Sequence, residues 1–227
     1  MFHQNDINSK HRAILINWLV DVHFQFGLKD ETLFHTVNLI DRYLSCVTIS
    51  MKDLQLVGIA AVLISSKFEE IYCAESEKLI DMTDNSYTKE ELFLMEGNIL
   101  NALGFKLNVT SSLTFLDRYS KVHGISQSNK TYMVARYLLE LALVDYKMVK
   151  YAPSKIAVSA LCFACKLTNT VEWSDTLAKV SQYNQTEIIP CLQNMTVMFI
   201  EQKDQTNLRA VKEKFGLPRY GKVSQLF

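Results

Sequence analysis

The chain has 227 residues, 48% of them hydrophobic and 21% charged, the profile of a folded globular chain rather than a disordered one. Its 24 basic and 24 acidic residues cancel, which argues against a nucleic-acid binder, where a basic excess is the rule. Only 7 glycines and 3 prolines leave few breaks and favour long helices.

Residues 6–10 are polar and lead into a first helix over 11–26. Gly27 ends it, and Asp30 is placed to cap a second helix over 31–45. The chain is organised around the stretch 54–70, LQLVGIAAVLISSKFEE. It carries no formal charge from Leu54 to Ser66 and then meets Lys67, Phe68, Glu69 and Glu70 together. Such a run is too short for a bilayer, which needs roughly 20 apolar residues. It is too long for a buried strand of about 4–8 residues. The reading left is an apolar helix surrounded by other helices. Gly58, Ala60, Ala61, Ser65 and Ser66 would let its neighbours approach closely. The charged end is expected to face another protein.

A short fourth helix is predicted over 75–82. Thr88 and Glu91 form a capping box that opens a fifth helix to Leu103, where Gly104 stops it. Residues 108–112 read as a linker, after which the pattern restarts with helices over 112–122, 130–144 and 153–167. Pro153 suits the first turn of the last of these. Further helices come over 173–183, then from a cap at Thr186 to about 202 with Pro190 near its first turn, and over 208–215. Gly216, Pro218 and Gly221 break the tail. A shift of 99 positions lays IAAVLISSKFEE (59–70) over VSALCFACKLTN (158–169), Lys67 over Lys166, and residues 38–45 over 137–144. The expected architecture is therefore all-α, two tandem five-helix units over 1–107 and 108–227, with a short helix in the C-terminal tail.

Enzyme signatures are missing. There is no glycine-rich phosphate loop and no HExxH. Cys162 and Cys165 form a lone CxxC inside an apolar helix and read as core thiols, not as a zinc site. Five cysteines, an odd number at irregular spacing, with no signal peptide, point to reduced intracellular thiols. The sequons at Asn108, Asn129, Asn184 and Asn194 then read as accidental. No catalytic residue, metal or cofactor is expected.

Two features ask for a partner. In the first helix, Asn17, Asp21 and Gln25 form a polar stripe, yet Ile14 and Trp18 fall on it and Leu15 on its edge. Either Trp18 is covered by this chain or the stripe is an apolar groove for a peptide. In the fifth helix Glu96 shares a stripe with Leu92, Met95, Ile99, Leu100 and Leu103. A charge on an apolar stripe needs a partner, and Lys67 is the expected one. The pair is either purely internal or also offers hydrogen-bonding groups to a bound protein.

These stretches resemble a known family. HRAILINW (11–18), NLIDRYLS (38–45), LQLVG (54–58), SKFEEIY (66–72) and TDNSYTK (83–89) look like the conserved blocks of the cyclin box. LVDYKMVKYAPSKI (143–156) is similar to mitotic, B-type cyclins, and the likeness runs from Gln4 onward. The resemblance implies two cyclin boxes and a non-catalytic subunit that binds and activates a cyclin-dependent kinase, with a role at entry into mitosis and residence in nucleus and cytoplasm. It implies that Arg12, Asp41, Leu56, Lys67 and Glu96 occupy signature positions, with Arg12 and Asp41 bracing the first box. Lys67 and Glu96 would hydrogen-bond the kinase backbone, and Phe68, Glu69, Glu70, Leu100, Phe105 and Leu107 would line the receiving surface. His11, Ile14, Leu15, Trp18, Asp21, Leu54 and Gln55 match the patch that docks RxL-type substrates and inhibitors. No nucleic-acid or membrane partner is implied.

The sequence departs from that pattern in places. His11 stands where the family has Met, and Asp21 where it has Glu, so a weaker or differently selective patch is expected. Cys73-Ala74 replaces a Pro-Pro pair, which is expected to loosen that turn. The helix and destruction signal that precede the first box in the family have no counterpart, so the chain reads as the folded core of a longer protein. Two rival readings are a cyclin-fold general transcription factor on DNA and a cyclin-box scaffold that activates no kinase.

Overall fold

Helix ends in this chain are set by side chains that satisfy the first free N–H groups, and most of those side chains are Asn, Ser or Thr. The computed structural model describes residues 4–170, 173–202 and 207–226. The chain divides into two units, Met1–Val109 and Thr110–Phe227. The first holds α1 (Ser9–Phe26), α2 (Asp30–Cys46), α3 (Leu54–Glu69), α4 (Ser76–Asp81) and α5 (Lys89–Ala102). The second holds α6 (Ser112–Val122), α7 (Lys130–Val144), α8 (Pro153–Leu167), α9 (Asp175–Ser181), α10 (Gln185–Glu201) and α11 (Ala210–Phe215). Short 3₁₀ turns join some of these, and no strand occurs among the described residues.

The local signals act largely as expected, with three corrections. Gly27 ends α1 in the left-handed region at φ 62°, and the Thr88–Glu91 capping box opens α5. Asp30, however, lies in the first turn of α2 and does not cap it; the cap position is Lys29, whose side chain makes no capping bond. The acceptor comes from elsewhere in the unit: Glu70 Oε1 takes the Lys29 N–H at 2.7 Å and the Thr32 hydroxyl at 2.5 Å. The second correction concerns α10. Asn184, not Thr186, caps it, forming a capping box with Glu187. Pro190 lies inside that helix, beyond its first turn, where its ring removes one backbone donor. The third is the turn at Cys73-Ala74, which is tied rather than loosened. The Ala74 N–H, which proline would lack, donates to the buried Ser66 hydroxyl at 3.0 Å.

In each unit one apolar helix is the core and the others wrap it. In the first unit α3 packs on α1, α2, α4 and α5, and every residue from Leu54 to Ser66 except Gln55 is buried. In the second, α8 packs on α6, α7, α9 and α10, and Cys162 and Cys165 are buried in it as core thiols. The shift of 99 maps helix starts as well as residues: Leu54 onto Pro153 and Ser76 onto Asp175, the first residues of α3 and α8 and of α4 and α9.

The two units meet one electrostatic problem differently. Each second helix carries a carboxylate facing inward, Asp41 in α2 and, 99 residues on, Glu140 in α7. A charge there is costly unless paired. Asp41 receives a bidentate bond from Arg12 of α1, at 2.6 Å from Nε and 2.7 Å from Nη2. Arg12 is one of the largest fully buried side chains of the chain. At the position 99 residues after Arg12 stands the uncharged Ser111. Lys214 of α11 pairs with Glu140 instead, at 2.8 and 2.9 Å, with both side chains 2% exposed or less. The C-terminal helix is thereby part of the second unit's core. Lys214→Met removes that cation and leaves the more distant Arg136, at 3.9 Å from Glu140. Urea unfolding should show a loss of about 2 to 4 kcal/mol; a loss within the scatter of surface substitutions would mean that Glu140 does not depend on α11.

Candidate functional site

Because α3 is walled in along its length, its charged residues are confined to the C-terminal turn. There the expected pair forms: Lys67 Nζ lies 2.6 and 2.9 Å from the two carboxylate oxygens of Glu96 in α5. It is a surface pair and not a core one, with the lysine side chain 45% exposed and the glutamate 15%. Lys67 also sits over the Phe93 ring, 5.8 Å from its centroid. The ammonium therefore keeps access to solvent while its position is held.

Beside this pair lies an apolar surface. Phe68 and Phe105 are exposed, and Leu100 and Leu107 are half-buried against the core. Phe105 is held in the left-handed region at φ 56°, next to Gly104 at φ 57°. A bulky residue persists there only where its surroundings impose it. Those surroundings are the Phe105 N–H donating to Leu100 O and the Arg42 guanidinium donating to Lys106 O at 2.8 Å. Glu69 is half-buried, and its carbonyl accepts from Lys29 Nζ. Glu70, assigned by resemblance to the same surface, is half-buried and accepts from the Lys29 N–H and the Thr32 hydroxyl at the start of α2.

His35 of α2 stands beneath this surface. It is buried, its Nε2 lies 2.8 Å from Leu107 O, and its ring lies 5.0 Å from that of Phe68. Its Nδ1 is 4.0 Å from Glu69 Oε1. Burial pushes the pKa of His35 below its usual value, against weaker upward pulls from the Leu107 carbonyl and from Glu69. Sequence reasoning did not single out His35, which reads as one more residue of an amphipathic helix. It also passed over Ile71 and Tyr72, the two most exposed large apolar side chains among the described residues. Two apolar residues directly after a helix end were the available signal.

The second surface runs along α1. Ile14 and Asp21 are exposed, Trp18 and Gln55 are half-buried, and Leu15 and Leu54 are buried beneath them. Trp18 is half-buried and packs on the core of the first unit, so this chain covers it in part, while Ile14 on the same stripe is exposed. His11 acts locally. Its Nδ1 accepts the Asn8 N–H at 3.3 Å while Asn8 Oδ1 accepts the His11 N–H, a capping box at the start of α1. Gly58 lets α3 come under this surface. A Cβ there would stand 2.9 Å from Leu15 Cδ1.

Comparison with known proteins settles the family. The family model described as cyclin, N-terminal domain, matches residues 1–108, and that described as cyclin, C-terminal domain, matches residues 110–226. The chain belongs to the cyclin family. It is 40% identical over 221 residues to a G2/mitotic-specific cyclin-B of Patella vulgata, covering 97% of this chain and 53% of that protein. It is 38% identical over 224 residues to the G2/mitotic-specific cyclin-B of Hydra vulgaris, covering 99% and 61%. The chain thus spans about half the length of the curated relatives it matches. Among solved structures, a viral cyclin from herpesvirus saimiri superposes with a TM-score of 0.72 at 23% identity, over 99% of this chain and 89% of the other. That likeness bears on the fold alone.

The two cyclin boxes are not equivalent as sites. Lys67 has its counterpart in Lys166 of α8, but the position 99 after Glu96 is Met195, a fully buried core residue. The lysine–glutamate pair therefore belongs to the first box only. No group of three or more His, Cys, Asp and Glu among the described residues could hold a metal ion. Gly58→Val should press on Leu15 and Leu19 and destabilise the first box by about 1 to 3 kcal/mol. Thermal unfolding tests this, and an unchanged midpoint would mean that α1 and α3 are not in close contact at Gly58.

Proposed function

We propose that this cyclin is a non-catalytic regulatory subunit that binds and activates a cyclin-dependent serine/threonine kinase and acts at entry into mitosis. The observation that carries the proposal is the apolar surface of Phe68, Leu100, Phe105 and Leu107 beside the fixed Lys67–Glu96 pair of the first box. Exposed aromatic and aliphatic side chains rimmed by placed charges suit a protein interface. The names of the B-type relatives support the mitotic assignment. The supporting chemistry is simple: Lys67 donates and Glu96 accepts hydrogen bonds to the kinase backbone, while Phe68, Glu69, Leu100, Phe105 and Leu107 receive an apolar helix. Glu70 contributes by holding the start of α2. A subunit of this kind activates by binding the active arrangement of the kinase better than the inactive one. The interface is expected to bury on the order of 2,000 Å² or more. Localisation in nucleus and cytoplasm belongs to the same proposal.

The surface of α1 supports a second role, docking of RxL-type substrate or inhibitor peptides. Ile14, Leu15, Trp18 and Leu54 would take the leucine, and Asp21 and Gln55 the arginine and backbone; His11, in its capping box, would shape the entrance. A role on DNA fits less well, because the net charge is zero. A scaffold that activates no kinase differs from the main reading only in activity.

Two measurements separate these readings. With a kinase that the wild type activates, the double variant Lys67→Ala, Glu96→Ala should lose about tenfold or more of its apparent affinity; full activation by that variant would refute the assigned roles. A fluorescent RxL peptide should bind about tenfold more weakly to Ile14→Ala and to Trp18→Ala. Unchanged affinity in both variants would remove the groove from the proposal, and absence of kinase activation by the wild type would favour the scaffold.

A further inference from the structure

Among the described residues, His35 is the buried histidine whose ring touches the proposed kinase-binding surface from beneath. Three segments of the first box meet on it: α2, which carries it, the last turn of α3 through Phe68 and Glu69, and the chain after α5 through the Leu107 carbonyl. Its two ring nitrogens have different surroundings. Nε2 is within hydrogen-bond distance of a carbonyl and must carry the proton there, since a carbonyl oxygen only accepts. Nδ1 is then a bare lone pair in the neutral ring, and it is buried with no hydrogen-bond partner. The group facing it is the Glu69 carboxylate, another acceptor, at 4.0 Å. The charged groups around the ring are Glu69, on α3, and Arg42, on α2 itself; the chain after α5 contributes the uncharged Leu107 carbonyl.

Resting on the reading that this surface binds a kinase, we propose that His35 is a positioning residue that couples the binding surface to pH through Glu69. With the ring neutral, Nδ1 cannot donate to Glu69, and the carboxylate is left to the partner. When Nδ1 takes a proton from water, it becomes a donor and draws Glu69 Oε1 inward. A single proton is bound, no other bond changes, and the carboxylate turns from the partner toward the core. A kinase that uses Glu69 as an acceptor competes with that proton, so binding and protonation oppose each other.

The environment sets the sign. Burial holds the His35 pKa below 6.5, so at neutral pH the ring is uncharged and the surface is ready. The unfolded chain binds the proton more readily than the folded one. The stability contributed by neutral His35 is therefore full above the unfolded value and falls as pH drops through the folded one. Binding changes in the same direction: it is strongest at neutral pH and above, and weakens in acid. The partner feature selected is a hydrogen-bond donor, a lysine, an arginine or a backbone N–H, placed opposite Glu69.

The test measures the dissociation constant between this chain and a cyclin-dependent kinase catalytic subunit that it binds at pH 7.5, at several values down to pH 5.5. His35→Gln is the control, because its amide N–H can still donate to Leu107 O but does not titrate in this range. The ratio of wild-type to variant constants cancels the titrating groups of the kinase. That ratio should rise as the pH falls from 7.5 to 5.5, with the two proteins within about threefold of each other at pH 7.5. Glu69→Gln in the wild-type background should abolish the excess pH dependence whatever it does to affinity at pH 7.5. An NMR titration of the free chain should assign the Nε2–H tautomer to His35 and a pKa below 6.5. Binding with a pH-independent ratio overturns the coupling and leaves the kinase assignment intact. Loss of affinity in His35→Gln at every pH to the same extent marks a packing role only and also overturns it. Failure of any kinase catalytic subunit to bind the wild type refutes the underlying reading instead.

Discussion

A helix buried on every side can carry charge only where it leaves the core. In α3 this constraint acts on a run from Leu54 to Ser66 in which only Gln55 escapes burial. The first charged residue after it, Lys67, is also the first to reach solvent. Its position is then refined by Glu96, and Phe68 is carried outward with it. The proposed partner-binding surface is thus a by-product of core formation: the length of the apolar run decides where the surface begins. Shortening α3 by one residue would rotate Lys67 by about 100° and take it from Glu96.

The repeat shows how much of that arrangement the fold requires. α8 occupies the place of α3 in the second box, carries the equivalent Lys166 in its last turn and is buried from Ala157 to Cys165, with no glutamate at the place of Glu96. The second box thus forms its core without a counterpart of the Lys67–Glu96 pair, its own buried lysine–glutamate pair being Lys214 with Glu140. The inward carboxylate of the second helix, by contrast, is kept in both boxes, and in both it is neutralised. The cation is Arg12 of α1 in one box and Lys214 of α11 in the other. Two different elements meeting one demand is the outcome that the cost of an unpaired buried charge predicts.

Scaffold and surface share residues in the first box. Glu70 ends α3 and at the same time supplies the cap that α2 lacks. Ser66 closes the apolar run and anchors the turn at Ala74. His35 joins Phe68 to the segment that carries Phe105 and Leu107. Three segments of the first box are thereby tied together at one place.

The helices, their order and the repeat were legible in the sequence, because apolar spacing and capping residues act within a few positions of one another. The starts of α6, α7 and α8 and the box at Thr88 are of this kind, while the approach of Lys67 to Glu96, 29 residues apart, was legible from the cost of a charge on an apolar stripe. Elsewhere legibility failed where an atom met a partner distant in sequence. Nothing near Asp30 says that Glu70, 40 residues away, will cap α2, and nothing near Glu140 points to Lys214. Nor does the pattern of α2 reveal that the bare nitrogen of His35 will face Glu69. The sequence by itself determined which segments are helices and which residues must be buried or paired, since those depend on local periodicity and the cost of burying charge. The tertiary structure alone decided which partner each of them found, since that depends on how helices far apart in the chain come to lie against one another.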